Sequence, residues 1–322
     1  MALPPARLGV MLPRDLPADQ VLAFARRAAG IGFDELWAVE DLGFRGGIAQ
    51  AGAVLAATGR LTVGIGILPA GARNVAFAAM ELATLAQLFP GRLIAGIGHG
   101  MPTWMRQIGA WPASPLTLLS EYTVALRQLL RGTPGPPRGR YVQAEGIVIE
   151  QVPDVLPPVV LGVRGPKSLA VAGAVADGIN LAEPATPGYI TAALDQAARA
   201  AGDPAFEVIT YDVAVVDDDR GSARERVRPA LAPLGEPDWA PHIAPLPFAA
   251  DLARLRAESA TPASFAARLP DEWVDALTLA GPPDVVRARI AERVDAGATS
   301  TVLVPVGPDP LAALEGLGRL VR

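Results

Sequence analysis

Between Arg60 and Met101 the spacing of apolar positions changes twice. Val63, Ile65 and Ile67 alternate with Gly64 and Gly66, a short run that suits a strand buried on both faces of a parallel sheet. Glycines at the alternate positions leave room for something flat. Ala78, Leu82, Leu85 and Phe89 then recur at helical spacing, between the capping residue Asn74 and the stop at Pro90 and Gly91. Leu93 to Ile97 returns as a second strand and ends in Gly98, His99 and Gly100. So long a helical connection makes the two strands parallel, in a right-handed βαβ unit.

The same alternation runs through the rest of the chain. Strands are predicted at Leu8–Leu12, Asp34–Val39, Pro158–Val163, Asp177–Ala182, Phe206–Val216 and Thr301–Val306. Helices are predicted at Pro17–Ala29, up to Thr58, at Leu116–Arg131, after Arg164, at Pro187–Ala200, at Pro282–Ala296 and from Pro310. Tyr141–Gln151 reads as a small hairpin outside the main sheet, and the Pro- and Trp-containing loop after Gly100 has a length usually reserved for function. Asp217–Leu279 is Pro-broken and mostly helical. Eight strands joined by helices predict an α/β fold of the (β/α)8 TIM-barrel type, one domain over 1–322 with a helical insertion at about 217–279.

Composition narrows the chemistry. With no cysteine in 322 residues, disulfides, thiolate nucleophiles, iron–sulfur clusters and Cys-based zinc sites are excluded. The N-terminus has no long apolar core and no apolar run spans a bilayer, so a cytoplasmic protein without a membrane partner is expected. A net charge of −5, without basic clusters interleaved with aromatics, argues against nucleic acid and for a small-molecule substrate. Among 28 basic residues Lys167 is the only lysine.

Candidate chemistry falls at strand ends, where TIM barrels keep their active sites. His99 closes the fourth strand between two glycines and is the first candidate for acid–base work. Glu40 and Asp41 close the second; neighbouring side chains on a strand point apart, so one of them is expected to be structural. Arg164, Gly165, Pro166, Lys167 and Ser168 bring free amides, positive charge and a hydroxyl to a helix start, an arrangement suited to a phosphate. GIGHGM lacks the third glycine of a dinucleotide fingerprint. The two histidines have no metal-binding spacing, and His242, inside the insertion, is given no role.

Four segments, GFDELWAVED, VGIGILPAGARNVAFAAMELATLAQLFPGRLIAGIGHG, LGVRGPKSLAVAGAVADGINLAEP and LAGPPDVVRARIAERVDAGATSTVLVP, together carry a resemblance. Over nearly its whole length the chain resembles the luciferase-like family of flavin- and deazaflavin-dependent oxidoreductases, which are TIM barrels. The resemblance implies a non-prolyl cis peptide near Gly66 and Ile67, behind the cofactor's central ring. It also implies ring contacts at Gly98, His99 and Gly100, and phosphate contacts from Gly162 and Val163 through Ser168. Where some members carry an Asp-His pair this chain has Glu40, Asp41 and Leu42, and Met101 stands where some carry Glu, so the acid–base set of the sugar-phosphate dehydrogenases is missing. The implied activity is hydride transfer between coenzyme F420, a 5-deazaflavin, and a small organic substrate, in a homodimer. The alternatives are an FMN-dependent monooxygenase and a barrel that binds such a cofactor without turnover.

Overall fold

The period-two runs become parallel strands in a computed structural model that describes residues 6–321. They are β1 (Arg7–Met11), β2 (Glu35–Ala38), β3 (Thr62–Pro69), β4 (Leu93–Gly98), β5 (Val159–Gly162), β6 (Gly178–Leu181), β7 (Glu207–Val216), β8 (Leu279–Gly281) and β9 (Ser300–Pro305). The hydrogen-bonded order is β6-β5-β4-β3-β2-β1-β9-β7-β8, and a further β6–β7 pairing closes eight of the strands into a ring. Helices alternate with them, so the fold is a (β/α)8 TIM barrel.

All eight predicted strands are present, and β8 is a ninth. It pairs with Ala214–Val216 at the far end of β7, beyond most of the β7 pairing with β9. Three residues are too few to display a period, so its place at the end of the predicted insertion concealed it. The remaining insertion is helical, with Arg220–Val227, Ala249–Ala257, Pro262–Arg268 and Asp271–Leu277 as its longer helices. Leu231, Leu252, Phe265, Val274 and Leu277 form its apolar core and pack on Val213 and Val215 of β7.

The hairpin expected at Tyr141–Gln151 is absent: no strand forms there. Glu121, on the helix Pro115–Leu130, accepts the backbone N–H groups of Arg140, Tyr141 and Val142 at 2.8, 2.8 and 3.1 Å, so donors that a ladder would need are already committed. The long loop after Gly100 contains a short helix, Pro102–Gln107. Asn74 caps the helix Val75–Leu88 as expected, its side chain accepting from Ala76 N at 2.9 Å. No helix among the described residues is long and apolar enough to cross a membrane.

Inside the barrel, the N-terminal end of the strands is closed by charge and the middle by apolar bulk. Fully buried Glu35 accepts from Trp37 Nε1 and Ser300 Oγ, each at 2.7 Å, and pairs with Arg7, which also reaches Glu207. Trp37, Ile94, Val160, Ile209, Tyr211 and Val302 fill the next layer.

Candidate active site

The glycines of β3, β4 and β5 make room for protein side chains, which corrects the expectation of a flat group lying directly against them. A Cβ on Gly64 would meet the Trp37 ring at 2.3 Å, and one on Gly66 would meet Tyr211 Oη at 1.9 Å. Cβ atoms on Gly98 and Gly162 would meet the Ile67 side chain at 3.0 and 2.4 Å. Ile67 therefore lies across the ends of β4 and β5 as the floor of the mouth. The Gly66–Ile67 peptide is cis, where the resemblance places one, and the β3–β4 register shifts between Ile65 and Leu68. Beneath Gly66, Tyr211 Oη and the Asn180 amide lie side by side, buried, and neither finds a partner of good hydrogen-bond geometry in the protein.

At the next strand end His99 Nε2 lies 3.0 Å from Ser168 Oγ. Burial lowers the proton affinity of the imidazole, which favours its neutral form at pH 7. Ser168 belongs to the first turn of the helix Pro166–Val175, which starts at Gly165 without a side-chain cap, so its first amides remain available to an anion. Lys167 is exposed and makes no ion pair among the described residues. Arg164 is committed elsewhere: its guanidinium lies 4.5 Å from the Trp239 ring centroid and within 3.5 Å of the Asp238 carbonyl. Val163 is buried in the layer between barrel and helices, so only its backbone can face a phosphate.

Both carboxylates after β2 are paired. Glu40 takes a two-pronged contact from Arg73 at 3.0 and 3.2 Å and the Gly47 N–H at 2.7 Å. Asp41 pairs with Arg14 at 2.7 Å. Glu183, two residues beyond β6, is a third acid that sequence reasoning passed over; burial raises its pKa, its own backbone N–H and Arg164 oppose the shift, and Asp212 and Asp41 add to it. The peptide that follows Glu183, to Pro184, is also cis. The only signal in the sequence was its place just after a predicted strand.

His242, given no role from sequence, fastens this region. Its Nδ1 donates to the Pro184 carbonyl at 3.2 Å, its ring packs 4.2 Å from that of Tyr189, and the Tyr189 hydroxyl donates to the Arg164 carbonyl at 3.2 Å. The insertion is thereby tied to the ends of both β5 and β6. Beside the mouth, a cavity of ≈ 390 Å³ is lined by Arg73, Trp111, Tyr122 and Tyr141 among others.

The closed barrel, with its glycine-rich strand ends, a cis peptide in β3 and an uncapped helix start after β5, is a (β/α)8 TIM barrel, the fold whose enzymes keep their sites at the strand C-termini. The sequence matches the luciferase-like monooxygenase family over residues 2–300, and the chain belongs to that family. It is 28% identical, over 94% of its length and 97% of the relative's, to the 5,10-methylenetetrahydromethanopterin reductase of Methanolobus tindarius. Among solved structures it is similar to the coenzyme F420-dependent tetrahydromethanopterin reductase of Methanopyrus kandleri, with TM-score 0.81, 22% identity and 98% of each chain covered. It is also similar to the FMN-bound oxygenating component of 3,6-diketocamphane monooxygenase of Pseudomonas putida. There the TM-score is 0.74 at 15% identity, over 99% of this chain and 98% of that one.

Proposed function

We propose that this chain is an oxidoreductase that passes a hydride between coenzyme F420, a 5-deazaflavin, and a small organic substrate at the barrel mouth. The contact between His99 and Ser168 carries the reading. It places a ring at the end of β4 one hydrogen bond from an uncapped helix start next to unpaired Lys167, so one elongated anionic cofactor can be held on both sides of it. Similarity to reductases named for methylenetetrahydromethanopterin and for coenzyme F420 supports this choice.

In this proposal the deazaflavin, when bound, supplies or accepts the hydride. Gly66, Ile67, Gly98, His99 and Gly100 surround the ring, with the Ile67 side chain beneath it and Asn180 and Tyr211 buried behind Gly66. Gly162, Val163, Gly165, Lys167 and Ser168 hold the phosphate through backbone amides, charge and hydroxyl, and Pro166, which has no N–H, sets the first helical turn. Arg164 shapes that loop from its stack on Trp239. Of the catalytic candidates, neutral His99 orients the reacting ring, Asp41 sets the field at the mouth, and Glu40 braces the start of the helix Gly47–Ala57.

An FMN-dependent monooxygenase is the second reading, favoured by the family and by the FMN-bound neighbour. Absorbance titration with both cofactors separates the two. Tight FMN binding with no response to the deazaflavin overturns the first.

The same proposal takes 1–322 as one working domain with the 217–279 insertion, acting in the cytoplasm as a homodimer. Phe77, Met80 and Leu88 are exposed along the helix Val75–Leu88, an apolar stripe of the kind that pairs with a second copy.

A further inference from the structure

We infer that the cavity beside the mouth is a second ligand site, built for a flat heteroaromatic ring that carries a carboxylate or phosphate. It stands whether or not the hydride reading above holds.

The cavity opens among the loops after β3 and β4, the helix Pro115–Leu130 and the chain at Tyr141–Gln143. Its ≈ 390 Å³ falls within the range of about 300–1,000 Å³ usual for small-molecule sites. Trp111, Tyr122 and Tyr141 supply aromatic walls, with Leu118 and Val142 beside them. Met105 packs between this space and the barrel mouth. A Cβ on Gly71, in the cavity lining, would meet Met105 Cε at 3.1 Å, and one on Gly100, just past β4, would meet Met105 Sδ at 2.9 Å. A ligand here therefore borders the candidate active site without entering it.

The lining offers a donor and a flat cation to a ring. Tyr122 is 3% exposed, and among the described residues its hydroxyl has no hydrogen-bond partner. Burial raises its pKa, so the phenol keeps its proton, and a ring nitrogen or oxygen in the cavity would complete it. The edges of the Arg73 guanidinium are spent: Nη1 and Nη2 donate to Glu40 at 3.0 and 3.2 Å, and Nε lies 3.5 Å from Glu81. Its charge is offset, and the part left to the cavity is the planar face, which stacks on aromatic rings.

Charge for an anion stands at the rim. Arg106 lies 5.3 Å from the Trp111 ring centroid and Arg140 5.2 Å from that of Tyr141. Both arginines are exposed, and neither makes an ion pair among the described residues. Glu121 lies near Arg140, but its carboxylate is taken up by three backbone N–H groups. Two unpaired cations beside two cavity walls favour a ligand whose anionic group reaches the rim while its ring lies inside. Exposure makes that attraction weak and sensitive to salt.

Calorimetric titration of the cofactor-free full chain with quinoline-6-carboxylate, quinolin-6-yl phosphate and neutral quinolin-6-ylmethanol tests the site. At low salt at least one anion should bind more tightly than the alcohol, and the tighter anion identifies the group as carboxylate or phosphate. Tyr122→Phe should weaken all three by about 2–10-fold at an unchanged melting temperature, because the lost hydroxyl has no protein partner. 2-Naphthoate, which lacks the ring nitrogen, should bind Tyr122→Phe and the parent alike. Arg106→Ala together with Arg140→Ala should weaken only the anions, and high salt should erase their advantage. No saturable binding by any of the quinolines overturns the inference, as does binding that Tyr122→Phe and the double Arg variant leave unchanged. Displacement of a bound quinoline by coenzyme F420 or FMN also overturns it, since the cavity would then be part of the cofactor site.

Discussion

His99 Nε2 and Ser168 Oγ, 3.0 Å apart, join the end of β4 to the first turn of the helix that follows β5. Ser168→Ala removes one neutral hydrogen bond that the protein already makes without cofactor, so stability should fall by about 0.5–1.5 kcal/mol, and loss of the hydroxyl from the anion site should weaken cofactor affinity as well. A titration that finds parental affinity makes the contact local, and separates the two strand ends functionally.

Lys167 and Arg164 should behave differently although both are cations of one loop. Lys167→Ala should weaken cofactor binding by about 1.5–3 kcal/mol, the loss of a charge-assisted contact, without affecting stability. Arg164→Ala should lower stability as well, because its guanidinium lies over Trp239 of the insertion. Dissociation constants at low and high salt, with a thermal melt of each variant, check both. If Lys167→Ala binds like the parent at low salt, the anion lies elsewhere.

Gly162→Ala would place a Cβ 2.4 Å from Ile67 Cγ2. Overpacking of this kind costs about 1–3 kcal/mol, and Ile67→Ala in the same chain should recover part of it. Urea denaturation of the two single variants and the double variant tests the contact. Strictly additive losses would mean that Ile67 does not occupy the space beside Gly162.

Arg293 and Asp212 form a fully buried pair at 2.9 Å, between the helix Pro283–Asp295 and β7. Arg293→Met should cost about 3–5 kcal/mol, since it strands a buried carboxyl, and adding Asp212→Leu should restore much of the loss. Chemical denaturation midpoints decide it; an unshifted midpoint for the single variant would refute the pairing.

Burial works against charge at Glu121, but the backbone N–H groups of Tyr141, Arg140 and Val142 outweigh it and lower its pKa. A carboxylate depressed on folding contributes stability above its unfolded pKa of about 4.3, and this is lost as pH falls through the lower folded value. Segment 131–158 should therefore lose amide protection, relative to intrinsic exchange, as pH falls below about 4, and Glu121→Gln should show that looseness already at neutral pH. Hydrogen exchange that is flat across this window would contradict the assignment.

The barrel was legible because its signals are local. Val63–Ile67, Ala78–Phe89 and Leu93–Ile97 each announce a period within a few residues, and βαβ handedness then leaves few topologies. The anion-receptive helix start could be read for the same reason, since Gly165, Pro166, Lys167 and Ser168 are consecutive. The supposed hairpin at Tyr141–Gln151 was misread because alternation alone does not show whether its donors are free, and Glu121, about 20 positions earlier, takes them.

Only the tertiary structure decided what fills the space at the glycines and which acids are clamped. A glycine in a strand says that something comes close but not what: Gly66 receives Tyr211 and Gly162 receives Ile67, partners far away in sequence. Glu40, Asp41 and Glu183 all follow predicted strands, yet two are neutralised by arginines 33 and 27 positions away while the third is surrounded by residues of β7, the insertion and the loops after β2 and β5. Burial and electrostatic field sum over everything within several ångströms, whereas sequence pattern reports only what lies within several residues.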